Sequence, residues 1–223
     1  MRVYEAAPDG DAKGAVIVIQ EAFGVNDYIE DVTRRFADAG YHAAAPSLFH
    51  RTGGGVADYD SFDKVIEWIG ALTDDGLLAD VDVTIDHLRS QGFDDKQIGI
   101  VGFCMGGRVT FLVAARRAIG AGVGFYGGGI VTPRFPQLAR LVDEADALQT
   151  PWLGLFGDRD TGIPVEDVEQ LREALVSASA ATEIVRYPEA EHGFHCDRRD
   201  AHHPESADDG WRRTLGWLDT HLG

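Results

Sequence analysis

The chain is poor in cysteine, in basic residues and in long hydrophobic runs, and each shortage excludes a class of protein. Two cysteines, Cys104 and Cys196, cannot build a disulfide framework. Lys and Arg number 20 against 37 Asp and Glu, and a net charge of −17 repels nucleic acids and anionic lipids. No stretch approaches the roughly 20 apolar residues of a membrane span, and residues 1–5 lack the apolar core of a signal peptide. We therefore expect a cytoplasmic protein without nucleic-acid or membrane partners.

The remaining composition is that of a folded domain. Hydrophobic residues make up 44% and charged residues 26% of 223 positions, which is ordinary for a globular protein. Neither an internal repeat nor a low-complexity linker divides the chain, so we predict a single domain over residues 1–223. A monomer or a small homo-oligomer is expected.

Short β-rich runs alternate with amphipathic helical patterns, which predicts an α/β fold. The run AVIVIQ at 15–20 is apolar throughout, as in a parallel strand buried on both faces. Further strands are predicted at 41–45, 97–101, 121–126, 152–156 and 183–187. Helices are predicted between them, one capped by Asn26 and one carrying Leu78, Val81, Ile85 and Leu88 inward with Asp80, Asp82 and Asp86 outward. We expect a mainly parallel central sheet with helices on both faces.

The sharpest local signal is GFCMGG at 102–107, which follows a predicted strand and precedes a helical pattern. This is the context of a nucleophile elbow, a strained strand-to-helix turn that needs glycines around the nucleophile. A thiol at a helix N-terminus is favoured as thiolate. Cys104 is therefore a candidate nucleophile, although a buried cysteine in a Gly-rich turn would give the same pattern.

Two later segments supply possible partners in the chain order of α/β hydrolases, which is nucleophile, acid, histidine. Asp158 and Asp160 follow one predicted strand, and His192 follows the next. Ligands bind at the carboxyl ends of strands in open α/β sheets, so these side chains are expected to meet. A lone Asp after a strand is usually a turn residue, but three such residues in order favour a catalytic set.

Three other segments allow more than one interpretation. The string GVGFYG at 122–127 matches a dinucleotide fingerprint but opens no helix, so no cofactor is predicted. The Gly-rich residues 51–60 form either a plain surface loop or a mobile rim over a pocket. The cluster His195, Cys196, His202 and His203 could ligate zinc, although its spacing fits no standard module. A metal-binding protein is thus one alternative function.

With these residues in view, the sequence resembles the dienelactone hydrolase (carboxymethylenebutenolidase) family of α/β hydrolases from about residue 15 to 218. The resemblance implies the α/β-hydrolase fold and hydrolysis of small activated esters or lactones without a metal or cofactor. The segments that carry it are VIVIQEAFGVN at 16–26, APSLF at 45–49, the Cys104 elbow, GFYG at 124–127, GDRDTGIP at 157–164 and YPEAEHGF at 187–194.

The resemblance also implies roles for matching positions. Cys104 would be the nucleophile, His192 the general base and Asp160 its orienting carboxylate, with Asp158 as the rival. Glu21 would contact the thiol and control its ionisation. The oxyanion hole would be formed by the N–H groups of Ala22 and Met105, and substrate contacts would come from Phe23, Tyr126 and Phe194.

The chain departs from the family in the arginines that hold a substrate carboxylate. Cys196 stands at one of the two positions, and Ser61 or Phe62 near the other. Neutral substrates should therefore be favoured unless Arg51, Arg198 or Arg199 reaches the site. A catalytically inactive ligand sensor on the same fold is the second alternative function.

Overall fold

A computed structural model describes all 223 residues, and a seven-stranded sheet runs through its centre in the order β1-β3-β2-β4-β5-β6-β7. Strands β2 to β7 are parallel, and β1 is antiparallel to β3. The strands are Val3–Ala6 (β1), Ala15–Ile19 (β2), His42–Pro46 (β3), Ile98–Phe103 (β4), Ala121–Phe125 (β5), Trp152–Gly157 (β6) and Thr182–Tyr187 (β7). The helices are Asp27–Asp38 (α1), Phe62–Gly70 (α2), Asp74–Ser90 (α3), Met105–Arg116 (α4), Val165–Leu175 (α5) and Pro204–His221 (α6).

The six predicted strands are all present, with ends within two residues of the prediction. Every residue of β2, β4, β5 and β6 is buried, which explains why these strands are continuous apolar runs rather than alternating ones. The edge strand β1 and the helix α2 were not predicted. Both are short and partly exposed, so their hydrophobic patterns are weak.

Helices cover both faces of the sheet, as predicted. Asn26 caps α1 by accepting a hydrogen bond from the Ile29 N–H at 3.2 Å. Helices α1 and α6 meet through Phe36 and Trp211, whose ring centroids are 4.6 Å apart, while α3 and α4 pack together on the other face. None of the helices combines the length and the apolar character that crossing a bilayer requires.

Asp80 is a correction to the sequence analysis. It was expected to face outward from α3, but only 2% of its side chain is exposed. The segment after β3 folds over this helix, so that Arg51 donates to Asp80 at 2.7 Å and His50 lies 3.0 Å from the same oxygen. Buried charges are tolerated when they are paired in this way, and the pair fastens the start of the Gly-rich loop to α3.

Candidate active site

Cys104 lies on the turn between β4 and α4 with φ 56° and ψ −116°, a backbone conformation that is rare outside glycine. The neighbouring glycines make the turn possible. A Cβ on Gly102 would lie 2.2 Å from the Gly106 carbonyl oxygen, and one on Gly106 would lie 2.5 Å from the Ile19 carbonyl oxygen. The thiol is thus held, partly exposed, at the N-terminus of α4.

His192 and Asp160 meet at the same edge of the sheet, from the loops after β7 and β6. The His192 Nδ1 atom lies 2.6 Å from Asp160 Oδ2. The second oxygen of Asp160 accepts hydrogen bonds from the N–H groups of Gly162 at 2.8 Å and Ile163 at 3.1 Å. Asp158, the rival carboxylate, instead forms a bidentate pair with Arg186. The structure therefore brings Asp160 to the histidine and leaves Asp158 in a separate ion pair.

Cys104 and His192 stabilise each other's charged forms. Burial opposes ionisation of the thiol, but His192 and a hydrogen bond from the Met105 N–H outweigh it and lower the pKa of Cys104. Burial likewise opposes a charge on the imidazole, but Cys104 and Asp160 raise the pKa of His192 to about 10. A thiolate–imidazolium pair is the arrangement that activates a cysteine as a nucleophile.

Two backbone N–H groups follow the ends of the neighbouring strands β2 and β4. Met105 is the first residue of α4 and directs its N–H at Cys104. Ala22 follows β2, the strand that pairs with β4, and its N–H makes no hydrogen bond within the chain. The Ala22 N–H is therefore unpaired within the chain, and the Met105 N–H points to the thiol.

Glu21 is the second carboxylate of the site and is fully buried. Neither of its oxygens has a hydrogen-bond partner, and the Arg199 guanidinium lies 3.7 Å from one of them. Burial raises the pKa of Glu21, and the positive charges of Arg199 and His192 offset only part of that rise. The carboxyl group contributes a repulsive effect on the Cys104 thiolate.

Comparison with known proteins assigns the chain to a family. The sequence profile of the Dienelactone hydrolase family matches residues 1–222. The chain belongs to the dienelactone hydrolase family. A Yersinia pestis protein named "Putative carboxymethylenebutenolidase" is 41% identical over 227 residues, which cover 98% of this chain and 83% of the relative. An Escherichia coli K12 protein of the same name is 39% identical over 231 residues, covering 100% of this chain and 83% of the relative.

Solved structures agree with this assignment. A crystal structure titled "Putative Dienelactone Hydrolase" from Klebsiella pneumoniae is 40% identical and superposes with a TM-score of 0.88 over 97% of this chain and 92% of that one. An acylaminoacyl peptidase from Pyrococcus horikoshii, 15% identical, superposes with a TM-score of 0.73 over 99% of this chain and 39% of that one. At that identity it shows only that the two share the α/β-hydrolase fold.

Of the three arginines considered for this dienelactone hydrolase family member, only Arg199 reaches the site. Its guanidinium lies over the rings of Phe23 and Tyr59, at 6.0 and 5.6 Å from their centroids, and its side chain makes no hydrogen bond. Arg51 is paired with Asp80, as described above. Arg198 is exposed and lies 3.5 Å from Asp197.

Of the three aromatic side chains expected to contact substrate, Phe23 lies beside this arginine, Tyr126 lies beside His192, and Phe194 lies behind Tyr126. Phe23 is 4% exposed and packs edge-on against Tyr59, with centroids 4.7 Å apart. Tyr126 is fully buried, with its centroid 5.1 Å from that of His192 and 5.2 Å from that of Phe194. Phe194 has no exposed surface and packs behind Tyr126.

Tyr59 was not singled out by the sequence. It belongs to the Gly-rich loop at 51–60, which lies over the site because the Ala57 N–H donates to the Phe23 carbonyl at 3.1 Å. Of the two interpretations of this loop, the structure supports a rim at the site. A tyrosine within a Gly-rich loop after a strand was the available signal.

The side chains of the possible zinc cluster have separate partners. His195 Nδ1 lies 2.6 Å from the Tyr28 hydroxyl, Cys196 Sγ lies 3.3 Å from the Tyr59 hydroxyl, and His203 caps α6. No group of three or more His, Cys, Asp or Glu side chains is placed to hold a metal ion. The structure therefore does not gather these residues into a metal site.

Proposed function

We propose that the protein is a cysteine-dependent hydrolase of small activated esters or lactones that acts through a thioester intermediate. The observation that carries this proposal is the position of Cys104 on a strained turn beside His192, whose other ring nitrogen is held by Asp160 at 2.6 Å. A nucleophile beside a histidine that is in turn held by a carboxylate performs acyl transfer in several unrelated folds, whatever the order of the three residues in the chain.

The reaction has two halves. The Cys104 thiolate forms a bond to the substrate carbonyl carbon, and the carbonyl oxygen takes the electron pair while the N–H groups of Ala22 and Met105 bind it. Collapse breaks the ester C–O bond, and His192 gives its proton to the leaving oxygen. Water then loses a proton to His192, and its oxygen attacks the thioester carbonyl carbon. The C–S bond breaks, which releases the carboxylic acid and returns the Cys104 thiolate beside protonated His192.

The choice of cysteine restricts the substrate. A thiolate leaves a tetrahedral intermediate easily, so the intermediate reverts unless the alcohol is also a good leaving group. Enolates and phenolates satisfy this condition, whereas plain alkoxides and amines do not. Enol lactones and activated esters are therefore the substrate class that matches the nucleophile.

Turnover of p-nitrophenyl acetate by Cys104→Ala tests the proposal, with Cys196→Ala as the matched control for the other thiol. We expect Cys104→Ala to lose essentially all activity while keeping its fold, and Cys196→Ala to retain most of it. Mass spectrometry of briefly treated wild-type protein should find an acetyl group on the peptide containing Cys104. More than a tenth of wild-type kcat in Cys104→Ala would exclude Cys104 as the nucleophile. Saturable binding without turnover would favour the inactive sensor.

Arg199 extends the proposal to the charge of the substrate. A half-buried guanidinium that stacks on two rings and makes no hydrogen bond has donors available for a carboxylate. Neutral substrates were expected to be favoured unless Arg51, Arg198 or Arg199 reaches the site. Arg199 does reach it, so that expectation no longer applies. We therefore propose that the enzyme accepts a small lactone or ester that carries a carboxylate.

The measurement is the ratio of kcat/KM for a carboxylated enol lactone to that for a neutral one of similar size. Arg199→Gln should lower the ratio about tenfold to a hundredfold, because charge-assisted hydrogen bonds are worth about 1.5–3 kcal/mol. Arg198→Gln is the matched control and should leave the ratio unchanged. An unchanged ratio in Arg199→Gln would restore the expectation that neutral substrates are preferred.

A further inference from the structure

A cavity of about 430 Å³ lies beside the loop that carries Asp160, and none of Cys104, His192 and Arg199 lines it. Its walls come from the loop after β5, the loop after β6 and helix α5. Pockets that bind small molecules in proteins typically measure about 300–1,000 Å³, so this cavity has the size of a ligand site. The catalytic set described above does not use it.

Most of the cavity lining is apolar. Side chains of this kind supply binding free energy to the apolar part of a ligand, because they remove it from water, but they do not select its charge or orientation. Six buried side chains form this part of the lining: Ile130, Val131, Phe156, Ile163, Val168 and Leu171. A ligand that fits here therefore has an apolar body.

Arg134 is the only basic residue that lines the cavity. Its guanidinium makes one hydrogen bond, from Nη2 to the Gly162 carbonyl oxygen at 2.9 Å, which orients the group and leaves its Nε and Nη1 donors without partners. Every other arginine except Arg2 lies within ion-pair distance of a carboxylate. In a chain with a net charge of −17, an arginine without an acidic partner is an exception, and its free donors point to an anion from outside the chain.

The loop that carries Arg134 is held in place without a ligand. The Arg108 side chain, which is buried and paired with Asp74 at 2.6 Å, also donates to the Gly129 carbonyl at 3.3 Å. The next carbonyl, that of Ile130, accepts from the Val142 N–H at 3.0 Å. A cavity with fixed walls costs little ordering when a ligand binds, which favours affinity for a small molecule.

Asp167 limits the charge that the ligand can carry. It lies in the first turn of α5, is the only acidic residue that lines the cavity, and forms no ion pair with Arg134. A ligand with two negative charges would be repelled by Asp167, whereas a ligand without charge would leave the donors of Arg134 unpaired. One negative charge is therefore the best match.

We propose that this cavity binds a small monocarboxylate with an apolar body. The carboxylate accepts hydrogen bonds from the Arg134 guanidinium, whose planar donors match the two carboxylate oxygens, and the body packs on the six apolar side chains. This is a second ligand site, separate from the Cys104 site, and it does not depend on the reaction proposed above.

The test is a titration with hexanoate and with its neutral isostere hexanamide, followed by NMR of protein with labelled Ile, Leu and Val methyl groups. Hexanoate should shift the methyl signals of Ile163 and Leu171 and bind about tenfold more tightly than hexanamide, because only the carboxylate makes charge-assisted hydrogen bonds. Arg134→Gln should abolish this preference. Arg159→Gln is the matched control, since Arg159 is paired with Glu189 and does not line the cavity.

Two further variants locate the ligand. The methyl shifts should persist in Arg199→Gln, which removes the guanidinium at the Cys104 site. Asp167→Asn should tighten the binding of hexanoate severalfold and leave that of hexanamide unchanged, because it removes a like charge. Equal affinities for the two probes in wild type, a preference that survives Arg134→Gln, or methyl shifts that vanish in Arg199→Gln would each overturn the proposal. No readout involves ester turnover, so this proposal and the proposed function can fail independently.

Discussion

Two buried carboxyl groups lie near the same thiol, and they are held in opposite ways. Asp160 accepts two backbone hydrogen bonds on one oxygen and pairs with His192 through the other, so both of its carboxyl oxygens have partners. Neither carboxyl oxygen of Glu21 has a hydrogen-bond partner, and the Arg199 guanidinium lies 3.7 Å from one of them. Two backbone N–H groups thus bind the Asp160 carboxyl group, whereas no donor binds the carboxyl group of Glu21.

The difference in hydrogen bonding makes Asp160 a fixed group, with its partners already in place, and Glu21 a group whose charge depends on its neighbours. A carboxyl group with fixed donors holds its partner in one orientation, which suits the residue beside His192. A carboxyl group without donors changes its charge when a nearby hydroxyl or cation moves, which suits a residue that controls a thiol. Asp160 helps to raise the pKa of His192, whereas the Glu21 charge opposes ionisation of the Cys104 thiol directly.

Among the variants that test this comparison, Asp160→Asn is expected to have the largest effect on activity. The amide oxygen can still accept from Gly162 and Ile163, but the amide N–H₂ faces His192 Nδ1 and selects the wrong tautomer. Hydrolysis of p-nitrophenyl acetate should fall roughly 10³-fold in kcat. Asp158→Asn is the matched control and should cost little activity, since its partner is Arg186. If the control proves to be the more damaging variant, Asp160 is not the orienting carboxylate.

A smaller effect is expected from Glu21→Gln. His192 remains as the base, so kcat should fall only about tenfold, well short of the 10²–10⁴ that general acid–base catalysis contributes. The decisive measurement is kcat for Glu21→Gln and Asp160→Asn on the same ester at the same pH. Equal losses would show that the two carboxyl groups do not differ as fixed and adjustable groups.

Much of the site could be predicted because its signals are local. The glycines of the elbow are required by close contacts around Cys104, and Asp160 and His192 each follow a predicted strand that indicates where they lie. The same locality explains why the six parallel strands were found to within two residues. Short-range sterics and burial on both faces determine these features.

The rest depends on contacts between distant segments. Asp80 has a polar position in the helical pattern, and only the folding of residues 50 and 51 over α3 reveals that it is buried. Arg199 could not be chosen over Arg51 and Arg198 by spacing, because the choice depends on Phe23 and Tyr59 stacking beneath it. Tyr28 and His195 are 167 residues apart, so no local pattern could pair them.

The smallest expected effect concerns stability, and here the two carboxyl groups should differ in sign. The pKa of Glu21 is raised in the fold, so the folded state binds a proton that the unfolded chain has lost. The free energy of unfolding therefore falls as pH rises above the pKa of a free glutamate, by up to about 1.4 kcal/mol per pH unit, until the folded-state pKa is reached.

Glu21→Gln removes this loss and should raise Tm at neutral pH by roughly 2–4 °C per kcal/mol recovered. Well below the pKa of a free glutamate, where both states hold the proton, the Tm values of the two proteins should converge. Asp160→Asn loses an ion pair and should lower Tm at neutral pH instead. Thermal unfolding of wild type and both variants across this pH range checks the contrast, and a lower Tm for Glu21→Gln at neutral pH would contradict it.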